Sequence, residues 1–187
     1  AEEAPPPEEQ PEVCMMPQPA RLRQVMEEIS AHLDGSLNLH DMLSLVLKGM
    51  HEGLALDRVV FALMAADRSV IKAKYVMGAL PDSPLRQFQF SPTSPELFGR
   101  LMGKAQGVWF NEGNRKTLEP LITETTWQMI GHGEFFAMSV MVHGKPVGLF
   151  YADRKHGSCT LDEHSYQEFK KLCLRASEGL AHLARKK

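Results

Sequence analysis

The chain has 187 residues, 43% hydrophobic and 24% charged, with a formal net charge of −2. That length holds one domain and a tail, with a core large enough to fold without disulfides or metal. The small net charge, with no long lysine–arginine cluster, speaks against a nucleic-acid or membrane partner, and no apolar run reaches the ~18 residues of a membrane span.

Residues 1–19, AEEAPPPEEQPEVCMMPQP, are acidic and proline-rich, and are expected to form a disordered or extended linker. From the first residue Ala1 a processed product or a piece of a longer protein is expected, and from the leading linker a domain upstream. Residues 20–187 are expected to form the folded domain. The three cysteines, Cys14, Cys159 and Cys173, are odd in number and widely spaced. With no signal peptide, they fit a reduced, cytoplasmic setting.

Leu22, Val25, Met26, Ile29 and Leu33 recur at helical spacing up to Gly35. Asn38 is a suitable N-cap for a second helix, with Asp41 in its first turn and an apolar stripe from Leu39 to Leu54. Strands are expected at Arg58–Ala65 and Val70–Met77. The second alternates, with Ile71, Ala73 and Tyr75 on one face and Lys72 and Lys74 on the other. A brief strand follows at Gln87–Phe90.

Ser94-Pro95-Glu96 reads as a helix start with proline in the first turn, ending at Gly103. Gly107–Phe110 is a short strand. Residues 111–132 are irregular, with a short helix expected from near Pro120 to Gly131. Phe135–Val142 is nearly all apolar, as for a central strand. His143 to Pro146 make a turn, and Val147–Ala152 return. Thr160 and Glu163 have capping-box spacing for a last helix. Its Tyr166, Phe169, Cys173, Ala176, Leu180 and Leu183 form a heptad-like seam, broadened by Leu172.

Three stretches carry a family resemblance. SLNLHDMLSLVLKGMHEGLALDRVVFALM resembles the first core helix and first strand of a GAF domain. GEFFAMSVMVHGKPVGLFYADR resembles its fifth and sixth strands, and the closing helix completes the pattern. DRSVIKAKYVMG, GKPVGLFYADR and QEFKKLCLRASEGLAHL resemble, more narrowly, the GAF modules of bacterial HDOD-containing signalling proteins. The resemblance implies an α+β fold, GAF/PAS-like, with a six-stranded antiparallel sheet flanked by helices. It also implies a regulatory role and a homodimer, here through helices 21–34 and 160–185. The cyclic-nucleotide GAF motif is not found, and no cysteine lies between Gln87 and His132 for bilin attachment, so any ligand or cofactor stays unnamed.

Trp109, Phe110, Asn111, Asn114, Arg115 and Trp127 fall where a GAF pocket would lie. An aromatic wall with an arginine and two amides suits a small anionic or planar ligand. The competing reading makes both tryptophans core and both asparagines turn residues. His40–Asp41 lacks partners at metal-ligand spacing. His156, Cys159 and His164 are too loosely spaced for a zinc signature. Asp153 is expected to bond turn amides or pair with an arginine, Arg154 to close the strand beside it, and Cys173 to be a buried apolar residue. The methionines are assigned chiefly to the core. No catalytic or metal-binding constellation is apparent. The leading reading is a non-catalytic sensory module, the alternative a ligand-free dimerisation scaffold. A methionine-sulfoxide-reductase-type enzyme is third, since its chemistry needs low-pKa cysteines in the pocket.

Overall fold

A computed structural model describes residues 14–154 and 159–185. Most of the linker assigned above, residues 1–13, lies outside them, as does His156.

Helix α1 spans Pro19–Ala31, with proline in its first turn, and buries Leu22, Val25 and Ile29. Its start precedes the expected one and it stops short of Leu33. Helix α2, Leu39–Lys48, begins as expected: the Asn38 carboxamide oxygen accepts the Asp41 N–H at 2.8 Å. It runs on through a wider, π-type turn at Gly49–Gly53. A Cβ on Gly53 would lie 2.9 Å from Leu22 Cβ, and one on Gly49 would lie 3.0 Å from Val25 and 3.2 Å from Leu172. These close approaches let α1 and the last helix seat against the α2 extension.

The strands are β1 Arg58–Met64, β2 Ile71–Met77, β3 Gln89–Phe90, β4 Gly107–Phe110, β5 Phe135–Val142 and β6 Lys145–Asp153. They form one antiparallel sheet in the order β3-β2-β1-β6-β5-β4. The six-stranded α+β architecture is the one expected. On β2 the alternation breaks. Phe61 pairs with Tyr75 but Ala62 with Ala73, so Lys74 is the extra residue of a bulge. Tyr75 therefore turns to the face opposite Ile71 and Ala73, correcting the expected grouping.

The β5–β6 turn is also tighter than expected. His143 and Gly144, with φ of 52° and 74°, are its two central residues, as in the turns that suit the strand twist. Lys145 and Pro146 belong to β6. Proline is tolerated there because β1 pairs only with Gly148–Asp153, leaving the start of β6 beyond its edge.

Short helices connect the strands. The first, α3 at Leu97–Leu101, starts after Pro95, with Glu96 at its N-cap and the Ser94 hydroxyl accepting the Glu96 N–H at 3.2 Å. Between Asn111 and His132 lie α4 Arg115–Leu118 and α5 Glu124–Ile130. Pro120 sits in a 3-10 turn ahead of α5, and the Thr123 hydroxyl caps it. The last helix, α6, spans Glu163–Arg185. Asp162, rather than Thr160, caps it, accepting the Ser165 N–H at 2.7 Å.

The sheet has a core on each face. One joins α1, α2 and α6 to Val59, Phe61, Phe136, Met138, Val140 and Phe150. The heptad-like residues Phe169, Cys173 and Ala176 are buried in it, so the seam of α6 is used within the chain. The other core joins the short helices to Val60, Ala62, Phe135, Leu149 and Tyr151. Cys14 and Cys159 form a disulfide, their Cα atoms 5.6 Å apart across 145 positions. This corrects the expectation of reduced cysteines. Cys173 is free and buried.

Candidate functional site

The six residues grouped by sequence are divided by the sheet. On β4, neighbouring side chains point to opposite faces. Trp109 turns toward the three long helices, where its ring lies 6.0 Å from Phe136 and 6.2 Å from Tyr166. Its indole Nε1 is buried without a hydrogen-bond partner. Phe110 turns the other way. It stacks on Phe135 at 5.1 Å and meets Trp127 edge-on at 5.5 Å. The two tryptophans therefore do not form one wall.

Asn111 and Asn114 close a turn between them. Asn111 N–H donates to Asn114 Oδ1 at 2.9 Å, and Asn114 N–H to Asn111 Oδ1 at 3.2 Å. Both carboxamide nitrogens donate to the Trp109 carbonyl, at 3.1 and 2.8 Å. Their polar atoms thus serve the backbone. Arg115 lies over the Phe110 ring at 4.9 Å, pairs with Glu112 at 2.9 Å and donates to the His132 carbonyl at 3.3 Å. His132 stacks on Trp127 at 5.0 Å. Phe110, Arg115 and Trp127 are brought together, with His132 as a member the sequence reading passed over.

Behind them the interior is filled by rings. Phe88, Phe98, Phe135 and Tyr151 lie mutually between 5.1 and 6.5 Å apart where their centroids meet. Offset and edge contacts in this range are attractive beyond simple burial.

The strongest electrostatic arrangement lies at the end of β1. Arg58 grips Asp153 with two nitrogens, Nε at 2.9 Å and Nη2, and Nη2 also donates to the Ile130 carbonyl at 2.7 Å. The Tyr151 hydroxyl donates to the same Asp153 carboxylate. Arg58 and Asp153 side chains are 15% and 5% exposed, so this is a buried ion pair joining β1, β6 and α5. Burial pushes the Asp153 pKa up, against the lowering effect of Arg58 and Tyr151. Burial works to lower Arg58, but the hydrogen bond and charge of Asp153 outweigh it and raise its pKa. Burial, then the Asp153 charge, holds Tyr151 well above the usual phenol range. The expectation that Asp153 pairs with an arginine is met by Arg58, 95 residues away.

Arg58 also borders a cleft of about 290 Å³, with Gly78, Leu80, Asp82, Ser83 and Pro84. A second cleft, about 270 Å³, is lined partly by Glu96, Pro120 and Thr123. There Glu96 accepts the Thr126 hydroxyl at 3.1 Å through Oε1, while Oε2 is buried and unpartnered. Both volumes fall at the low end for ligand sites.

Elsewhere, His40 lies against Tyr75 at 5.4 Å, and Asp41 occupies the first turn of α2. Cys159 is tied to Cys14, leaving no thiolate for a metal beside His164. Among the described residues no group of three or more His, Cys, Asp or Glu is placed to hold a metal ion. Burial holds the Cys173 thiol well above its ordinary range, unlike a reactive cysteine.

The sequence matches no protein-family model and no curated protein. Solved structures do match. A GAF domain of an Acinetobacter phosphoenolpyruvate-protein phosphotransferase has TM-score 0.64 at 18% identity, covering 90% of this chain and 95% of that one. A phycoerythrobilin-bound GAF domain of a cyanobacterial phytochrome has TM-score 0.67 at 13% identity, with 88% and 97% coverage. The free methionine-R-sulfoxide reductase of Neisseria meningitidis, solved with its substrate, has TM-score 0.62 at 12% identity, with 89% of each chain covered. These three differ in what they bind and do, and at identities of 12–18% the likeness is one of architecture: the chain has the GAF fold.

Proposed function

We propose that this chain is a non-catalytic regulatory module of a larger, cytoplasmic bacterial signalling protein, with HDOD-containing proteins as its narrower setting. The observation that carries the proposal is the placing of α1 and α6. Gly53 meets Leu22 and Gly49 meets Val25, so α2 and its extension run antiparallel to α1. Gly49 also meets Leu172 and Gly179 meets Met42, so the same element runs antiparallel to α6. The first and last helices therefore run in the same direction on one face of the sheet. A movement entering along α1 reaches α6 without crossing the sheet. Leu174, 50% exposed on α6, offers apolar surface to a second copy, with the half-buried Met26, Leu180 and Leu183 near the rim of the same core. Among the described residues no helix is long and apolar enough to cross a membrane.

The ring-filled interior favours the ligand-free scaffold as the second reading. A ligand at the Phe110–Arg115–Trp127 edge would have to displace rings already in contact. Two assays test the proposal. Thermal shifts against small anionic and planar molecules separate its forms: a saturable shift supports the sensor, and none supports the scaffold. Turnover of free methionine sulfoxide with a dithiol reductant is expected to be absent. Turnover that is lost on mutating a cysteine would overturn the non-catalytic assignment.

A further inference from the structure

We infer that Cys14 and Cys159 form a reversible thiol–disulfide site, exchanged by small thiols and dithiol proteins, that locks the segment before α1 to the segment before α6. Their Cα separation of 5.6 Å lies within the usual span of a disulfide, about 4.4–6.8 Å.

The two sulfurs differ in access. Cys14 is half-buried, while Cys159 is 8% exposed. An incoming thiolate therefore reaches the Cys14 sulfur. A cation bridges the two segments that carry the pair. The Arg154 guanidinium donates from Nη1 to the Thr160 carbonyl at 3.2 Å and from Nη2 to the Met15 carbonyl. Those carbonyls belong to the residues immediately after the two cysteines. Its Nε is buried with no hydrogen-bond partner. A cation held at the backbone of the residues that follow both cysteines favours the thiolate that appears when the bond opens, and so favours both cleavage and re-closure. The remaining cysteine does not compete, because Cys173 is buried in the helical core.

The exchange balances in two steps. A thiolate attacks the Cys14 sulfur, the Cys14–Cys159 bond breaks, and its electron pair leaves on Cys159, which takes a proton from water. A second thiolate attacks the outer sulfur of the mixed disulfide, releasing Cys14 as a thiolate that is protonated in turn. The cystine gains two electrons and two protons, and two reductant thiols become one disulfide. The reverse, with an oxidised small thiol, closes the lock.

Opening changes how α1 is held. Besides the disulfide, the segment is tied by Arg154 to Met15 and by the Gln18 N–H to the Gly53 carbonyl at 2.9 Å, and Met16 is 75% exposed. These backbone ties are weak alone, so the reduced segment lifts from the domain while the two cores stay formed. The exchange site stands whether or not the chain proves to be regulatory.

The test equilibrates the full chain in glutathione buffers ranging from strongly reducing to strongly oxidising, followed by alkylation and mass spectrometry. The Cys14–Cys159 pair should pass reversibly between closed and open forms across that range, with Cys173 a thiol throughout. Cys159→Ser should collect glutathione on Cys14, and Cys14→Ser should collect much less on Cys159. In hydrogen exchange, reduction should speed the bonded amides of Gln18 and Leu22 on the order of tenfold, leaving β1, β5 and β6 unchanged. A pair that stays closed in the most reducing buffer, that never closes in the most oxidising one, or whose opening leaves those amides unchanged would overturn the inference.

Discussion

Replacing Arg58 by methionine isolates the buried ion pair. Methionine keeps much of the side-chain length but removes every donor. Asp153, 5% exposed, would keep the Tyr151 hydroxyl as its partner and lose the two guanidinium bonds; the Ile130 carbonyl would lose its donor too. Breaking one side of a buried pair costs about 3–5 kcal/mol, a large share of the roughly 5–15 kcal/mol that holds a domain folded. Urea unfolding followed by circular dichroism should show a matching fall in the midpoint with little change in slope. The double variant Arg58→Met with Asp153→Leu should recover part of the loss, because no unpaired charge remains, while the Tyr151 hydroxyl and the Ile130 carbonyl stay without these partners. The loss should also shrink on acidification. Without Arg58, the folded-state pKa of Asp153 lies further above its ordinary value of 3.8, so the folded protein binds the proton first as pH falls toward that value. Stability of the variant relative to the parent should therefore rise through that window. A single variant within about 1 kcal/mol of the parent, or a double variant whose losses simply add, would refute the assignment of the pair.

Two further predictions concern stability. Cys173 and Tyr151 have folded-state pKa values raised by burial above ordinary values of 9.0 and 10.0, so the unfolded chain releases these protons first. Stability present below those values should be lost as pH climbs above them, and Cys173→Ala should flatten the first part of the fall in urea midpoints. Gly148→Ala would place a Cβ 2.4 Å from the Ala62 carbonyl and 2.8 Å from the Phe61 ring, forcing β6 from β1. The expected cost is about 1–3 kcal/mol, and an unchanged melting midpoint would contradict the close pairing described.

Much of the scaffold was legible because its signals are local. The Asn38 cap, the Gly107–Phe110 strand and the hairpin pair each depend on neighbouring residues. The turn at His143–Gly144 was read two residues too long because Pro146 looked like a turn residue, and only the end of β1 explains why a strand tolerates it. The bulge at Lys74 leaves no mark in a lysine–alanine alternation. Contacts between distant segments were the least legible. Nothing local pairs Cys14 with Cys159 or selects Arg58 for Asp153. The separation of Trp109 from Phe110 was legible after all. Adjacent strand residues face opposite ways, so the grouped aromatic wall was excluded by the strand already assigned to them. The asparagine turn was one of the two readings weighed for Asn111 and Asn114, and their bonds to the backbone follow it.

Sedimentation equilibrium of the oxidised chain, beside Leu174→Glu, most directly tests whether the module works through its parallel terminal helices. A self-associating dimer at tens of micromolar, roughly the range of weak regulatory contacts, that Leu174→Glu returns to monomer is the predicted result. A monomer at that concentration, or a dimer indifferent to Leu174→Glu, would contradict it.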